Sequence, residues 1–317
     1  MATAEQVKSL VKAYVERDDE KFKTVVLQIA AHEARLGHDN IARNLKKQID
    51  SLSGRKTSVF RMPTGNQMLQ LSVPSLEMGD LIVSKELENR INRVLNEYRN
   101  RKKLQSYGMA NRRKLLLEGI PGTGKTLSAA VIASELGLPL YTVQMDKIVT
   151  KFMGETSAKL RQIFDSIASE DGVYLFDEFD AIGSDRNLDN EVGEMRRILN
   201  SFLQFIEQDN SDSIIIAATN NQKLLDKALF RRFDDVLHYD LPLDEEIKQL
   251  FEYKLVAFEH DFIITPELID KATGLSHAEI VRVCDDAIKT AILSNQRLTT
   301  MEVISLLGER HVIYKEA

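Results

Sequence analysis

The stretch Gly119-Ile120-Pro121-Gly122-Thr123-Gly124-Lys125-Thr126 follows the apolar run Leu115-Leu116-Leu117. A strand, a glycine-rich turn and a helix start in that order surround a phosphate chain with backbone N–H groups and the positive end of a helix. Lys125 would reach the β- and γ-phosphates, Thr126 would ligate Mg2+, and Leu127 would complete the nucleotide-contacting stretch. A second apolar run, Val173-Tyr174-Leu175-Phe176, ends in Asp177-Glu178. Asp177 has the placement of a magnesium-binding carboxylate opposite Thr126, whereas Glu178, not committed to the metal, can orient and polarise an attacking water. The run from Ser213 to Ala218 ends in Thr219-Asn220, which puts Asn220 within reach of that water or the γ-phosphate. Together these side chains suit magnesium-dependent hydrolysis of ATP or GTP. Arg231 and Arg232 follow a helical turn from Leu225 to Phe230, and their expected target is the pocket of a neighbouring subunit, where they would stabilise transition-state charge.

Residues of this kind need a rigid frame. Apolar strands alternating with helices predict an α/β fold of the P-loop nucleotidase type, a parallel sheet covered on both faces. Ligands of such sheets sit at the carboxyl ends of the strands, where these polar residues fall. The nucleotide domain is expected over residues 76–241 and a helical lid over residues 242–317. In the lid, Ile247, Leu250, Phe251, Leu255 and Phe258 keep helical spacing. Thr265-Pro266 reads as a helix start, and Ser276 with Glu279 and Thr299 with Glu302 read as capping boxes. Cys284 falls on the apolar face of a lid helix and reads as a core residue. Residues 1–54 read as a small helical bundle, with Val7, Val11 and Val15 on one helix and Phe22, Val25, Val26 and Ile29 on the next. Residues 55–75 read as a linker with an extended piece at 69–73. Ser84 to Tyr107 is expected to be mostly helical.

Composition narrows the choice. The chain has 317 residues, 43% of them hydrophobic, and a net charge of −6, which argues against a general nucleic-acid coat. The clusters Arg101-Lys102-Lys103 and Arg112-Arg113-Lys114 still leave open a local basic face for a nucleotide or nucleic acid. One cysteine excludes a disulfide framework, and no apolar run approaches the roughly 18 residues of a membrane span, so a cytoplasmic protein is expected. His32 and His38 lie six residues apart, which turns the second about 240° from the first and off the face a zinc-protease helix requires.

The motifs in order, Gly119 to Thr126, Leu175-Phe176-Asp177-Glu178-Phe179-Asp180, Ala217-Ala218-Thr219-Asn220 and Leu225 to Asp234, resemble the AAA family of ring-forming ATPases over about residues 80–310. The resemblance implies a homo-oligomer, a hexamer with ATP sites at the subunit contacts. The adjacent arginines resemble the severing and complex-disassembling branch, although Asp235 departs from the basic residue common there. Ser276-His277-Ala278-Glu279-Ile280 resembles the lid motif, with His277 in place of a glycine. Ile148 to Glu155 resembles the first pore loop of protein-threading members, which implies that Lys151, Phe152 and Met153 grip a polypeptide substrate. A second loop is expected around residues 185–191, and Arg196 and Arg197 are candidates for pairing across the subunit contact. The expected function is remodelling, unfolding or disassembly of a protein through a central pore. Two other readings stay open: an ATP-dependent switch that recruits a separate enzyme, such as a protease, through residues 1–54, and a nucleic-acid motor or loader.

Overall fold

The computed structural model describes residues 25, 26, 29, 68–148, 155–179, 191–220, 230–259 and 261–315. The chain divides into two units, Met1–Arg61 and Met62–Ala317. In the first, Val25, Val26 and Ile29 are helical and both valines are buried. The rest of the expected bundle, with His32 and His38, lies outside the described residues.

The second unit runs β1 (Leu69–Ser72), α1 (Lys85–Arg99), α2 (Arg101–Ser106), β2 (Lys114–Gly119), α3 (Lys125–Leu136), β3 (Leu140–Val143), α4 (Met145–Ile148), α5 (Glu155–Ser169), β4 (Val173–Phe176), α6 (Glu191–Gln208), β5 (Ile214–Thr219) and β6 (Asp235–Tyr239). Helices α7 (Asp244–Phe251), α8 (Pro266–Ala272), α9 (His277–Ser294) and α10 (Thr300–Lys315) follow, with a π-helical turn at Glu252–Val256 between α7 and α8.

The six strands form one sheet in the order β1-β3-β4-β5-β2-β6. All neighbours pair in parallel except β1, which is antiparallel to β3. The parallel sheet expected from sequence therefore carries one antiparallel edge, built from the extended piece expected at 69–73 within the linker. An edge strand needs only one apolar side: Leu69 and Leu71 are half-buried, while Gln70 and Ser72 are exposed.

The central strands are apolar throughout because helices cover both faces. On one face Leu116, Tyr174, Phe176, Ile215 and Ala217 meet Leu160, Ile163 and Phe164 of α5 and Ile198, Phe202 and Ile206 of α6. On the other, Leu115, Leu117, Leu175, Ile216 and Ala218 meet α1 and α3. Helix α1 places Leu87, Ile91, Val94, Leu95 and Tyr98 on one buried stripe and begins at Ser84, whose hydroxyl accepts the Leu87 N–H at 3.3 Å. Each fully buried aliphatic side chain contributes about 1.5–3 kcal/mol.

The lid has a separate core of Ile247, Leu250, Phe251, Leu268, Ile280, Val283 and Cys284 with Val303 and Leu307 of α10. Burial pushes the Cys284 thiol up to about 12, in keeping with a packing role. Thr265, Ser276 and Thr299 each accept an N–H three residues on, at 3.3 Å. The capping box at Ser276 is only half made, because the Glu279 carboxylate instead faces Arg282 at 3.2 Å and Arg310 at 3.9 Å.

The second basic cluster is not a free surface. Arg112 pairs with Glu97, and Arg113 pairs with the 3% exposed carboxylate of Asp209. The Lys114 ammonium donates to the Asp209 carbonyl at 3.2 Å. Arg101 of the first cluster lies over the Tyr98 ring at 4.4 Å. These cations tie α1, β2 and the end of α6 together and are not available to a phosphate backbone.

Phe202 is fully buried, with ring centroids 5.0 Å from Phe176, 4.5 Å from Phe179 and 5.8 Å from Phe164. Phe202→Ala is expected to lower the unfolding free energy by about 3–5 kcal/mol, read from urea denaturation. A loss under about 1 kcal/mol would show that this aromatic cluster does not anchor α6.

Candidate active site

The turn between β2 and α3 is shaped by what its backbone touches. Gly119 has φ +147, and a Cβ there would lie 2.0 Å from the Tyr239 carbonyl oxygen, so only glycine lets β2 leave the sheet this close to β6. Beside it, buried Glu118 pairs with His238 across the same two strands. Within the turn the Thr123 hydroxyl donates to the Ile120 carbonyl at 2.6 Å. The Lys125 ammonium donates to the carbonyls of Gly119 and Ile120, both at 2.8 Å, which draws the charge under the loop.

Two strands away, β4 ends beside the start of α3. The Thr126 hydroxyl donates to Asp177 at 2.7 Å, and the other Asp177 oxygen accepts the N–H of Glu178 at 2.9 Å. Glu178 has φ +50, a conformation uncommon for a residue with a Cβ. Its side chain is exposed, and its carboxylate has no hydrogen bond or ion pair among the described residues. The two adjacent acids are therefore in different states, one committed to Thr126 and one open.

These groups line a cavity of about 600 Å³. Part of the lining is polar, with Gly122, Gly124, Lys125, Thr126, Asp177, Glu178 and Asn220. Part is apolar, with Leu76, Leu81 and Ile82 from the segment before α1 and Leu250 and Val281 from the lid. A charged chain of oxygens suits the polar groups and a flat heterocycle the apolar ones. Two hard oxygen donors, Thr126 and Asp177, converge in the polar lining, a protein share that suits Mg2+, which keeps most of its remaining positions for water and phosphate.

The lid closes against the phosphate loop by main chain. The N–H of Ala278 donates to the Gly122 carbonyl at 2.9 Å, and a Cβ on Gly122, where φ is +76, would meet the Ser276 hydroxyl at 2.7 Å. A second clasp is made by the Tyr253 hydroxyl, which donates to Asp80 at 2.8 Å from within the π turn, a distortion frequent at functional sites. Hydrogen bonds from the Glu77 N–H and from Tyr253 hold the Asp80 carboxyl below its usual range. His277 lines the cavity, and burial pushes its imidazole down to about 4.

The residues read from sequence are thus partly brought together. Pro121, Gly122, Gly124, Lys125, Thr126, Leu127, Asp177, Glu178 and Asn220 line one cavity, with Gly119, Ile120 and Thr123 shaping the loop behind it. Arg231 and Arg232 do not line it. Arg232 pairs with Glu207 of α6, whereas Arg231 is exposed and has no ion pair among the described residues. Asp234 accepts the N–H groups of Arg113 and Lys114, both at 2.9 Å, and Asp235 pairs with Arg90, so neither neighbouring acid serves the arginines. Lys151, Phe152 and Met153 lie outside the described residues, as do residues 185–190 and the side chains of Arg196 and Arg197. Sequence reasoning missed the apolar lining supplied by the segment before α1. Asp80, Leu81 and Ile82 precede α1 off its helical spacing, and that break in period was the only signal of a separate task.

Comparison with known proteins agrees with this geometry. Residues 115–241 match the model of the ATPase family associated with various cellular activities (AAA). An uncharacterized AAA family ATPase, y4kL, of Sinorhizobium fredii is 33% identical over 310 residues, covering 94% of this chain and 92% of that protein. The ATP-dependent zinc metalloprotease FtsH of Parabacteroides distasonis is 31% identical over 226 residues, 68% of this chain, which spans only 33% of that longer protein. A putative 26S proteasome regulatory subunit homolog of Methanothermobacter thermautotrophicus is 28% identical over 266 residues, covering 81% of this chain and 70% of that protein. The crystal structure of the FIGL-1 AAA domain has the same fold, with a TM-score of 0.60 at 22% identity over 75% of this chain and 84% of that one.

Gly122→Ala tests the lid contact. The added methyl meets Ser276 and forces a left-handed conformation on a residue with a Cβ, so stability should fall by about 1–2 kcal/mol and nucleotide binding by about tenfold or more. Unchanged affinity in a fluorescence titration would show that the loop and the lid do not need this fit.

Proposed function

The chain belongs to the AAA family of ATPases, and we propose that it assembles as a ring, a hexamer, and uses ATP hydrolysis to remodel, unfold or disassemble a protein threaded through the centre. The observation that carries this reading is the state of the charges around the cavity. Among the described lining residues the cations are Lys125 and Lys254, and Lys254 is paired with Asp285 at 3.0 Å. Phosphoryl transfer spreads negative charge over the γ-phosphoryl oxygens, and a single lysine behind the loop leaves part of that charge unopposed. Arg231 is exposed and has no ion pair among the described residues, which suits a residue delivered to the next subunit's pocket. Arg232, held by Glu207, would fix the turn that presents it.

In this reading Gly119 to Leu127 hold the triphosphate, and Lys125 contacts its outer oxygens. Thr126 and Asp177 would hold Mg2+, which supplies charge compensation on the phosphate oxygens when bound. Glu178 orients and polarises the attacking water, and Asn220 hydrogen-bonds that water or the γ-phosphate. Loss of the γ-phosphate removes the contacts of Asn220 and of the neighbour's Arg231, so the lid and the subunit contact relax together. Lys151, Phe152 and Met153 would carry that movement to the polypeptide. Relatives named as an ATP-dependent metalloprotease and as proteasome regulatory subunit homologs support a protein as the substrate.

A second reading, a switch that recruits a separate enzyme such as a protease through residues 1–54, draws support from the division of the chain after Arg61. The nucleic-acid reading loses its best feature, since Arg112, Arg113 and Lys114 are engaged within the fold.

Glu178→Gln is expected to bind ATP normally and to turn over about 100-fold or more slowly, and Arg231→Ala to lose about 10³-fold or more. An equimolar mixture of these two variants should regain activity, because mixed rings contain sites with one intact Glu178 and one intact Arg231. A mixture as inactive as its components would sink the shared site. Phe152→Ala should hydrolyse ATP yet fail to unfold a tagged substrate protein, and undiminished unfolding would remove the threading step.

A further inference from the structure

Of the lining side chains that the hydrolysis reaction does not use, Asp80, Tyr253 and Lys254 are partnered within the fold, and His277 has no partner among the described residues. It opens α9 between Ser276, which lies against Gly122, and Ala278, whose N–H is bonded to the Gly122 carbonyl. Both ring nitrogens are shielded from solvent, and neither has a hydrogen-bond partner among the described residues. The residue itself is only partly covered, so what it shows to the cavity is carbon and main chain, not nitrogen. Rotating the ring by half a turn about Cβ–Cγ exchanges carbon for nitrogen on each side within the same volume. Buried imidazole nitrogens without partners are unfavourable, and a ligand that offers a hydrogen bond relieves that cost.

Position selects the ligand group. His277 stands beside Gly122 and one turn before Val281 on the same helix, so a nucleotide with its phosphates at Gly122 to Thr126 and its base against the apolar lining of Ile82 and Val281 would bring its sugar past residue 277. We infer that His277 hydrogen-bonds a ribose hydroxyl of the bound nucleotide and so selects ribonucleotides over deoxyribonucleotides. A neutral imidazole has one donor and one acceptor, and a hydroxyl can answer either tautomer. The depressed pKa of this buried ring keeps it neutral at physiological pH, which disfavours a phosphate oxygen as its partner. The inference rests on the cavity being the ATP site.

The test is equilibrium binding of ADP, 2′-deoxy-ADP and 3′-deoxy-ADP by calorimetry, which needs no turnover. The full-length wild-type protein should bind one deoxy analogue about five- to tenfold more weakly than ADP. His277→Phe keeps a ring of similar size without nitrogens, and should bind ADP and that analogue equally. His277→Asn restores a donor and an acceptor and should recover part of the discrimination. Equal discrimination by wild type and His277→Phe, or none by wild type, overturns the assignment while leaving the ATP site intact. Failure of the wild-type protein to bind ADP at all would overturn both.

Discussion

Parallel pairing of β2 with β5 and of β5 with β4 brings three chain turns, after Gly119, Phe176 and Thr219, to one edge of the sheet. The hydrogen bond between Thr126 and Asp177 depends on that alignment, since its two residues lie 51 positions apart in the chain. A slip of one residue in β4 would reverse its inward and outward side chains and remove Asp177 from the phosphate loop. The apolar strands resist such a slip because both faces are packed: Phe176 and Tyr174 must face α5 and α6, and Leu175 must face α3. The hydrophobic core thus sets the position of the carboxylates.

The same edge is where the lid is attached. The contact between Gly122 and Ala278 uses main-chain groups, so the phosphate loop and the first turn of α9 approach as backbones with no side chain between them. Tyr253 and Asp80, both in the cavity lining, make a second, side-chain clasp. A ligand that fills the cavity touches both ends of this closure, which is how occupancy of the pocket can become an orientation of the lid. Among the described residues no helix is long and apolar enough to cross a membrane.

Charge is distributed unevenly. Arg112, Arg113 and Lys114 are consumed in holding β2 to α1 and α6, and Arg232 is paired with Glu207. Among the described residues at or near the strand ends, Glu178 within the cavity and Arg231 outside it have no hydrogen bond or ion pair from their charged groups. Ion pairs of this kind add little stability when exposed, so the Arg232–Glu207 contact orients Arg232 without withholding it from a stronger partner.

The order of motifs in the sequence was enough for the phosphate loop, the two acids, Asn220 and the α/β class, because each depends on local spacing and on apolar runs long enough to be strands. Local spacing also marked the helix starts at Ser84, Thr265 and Ser276. It did not separate Arg231 from Arg232, since the acid that claims Arg232 comes from α6, 25 residues earlier, and reaches it only in the folded chain. Nor did it find the apolar lining of the cavity, whose walls come from the segment before α1 and from the lid, or that the extended piece expected at 69–73 pairs antiparallel as an edge strand. Those features are made by residues distant in sequence and unremarkable in type. Their roles arise from tertiary contact, which neither residue spacing nor periodicity can report.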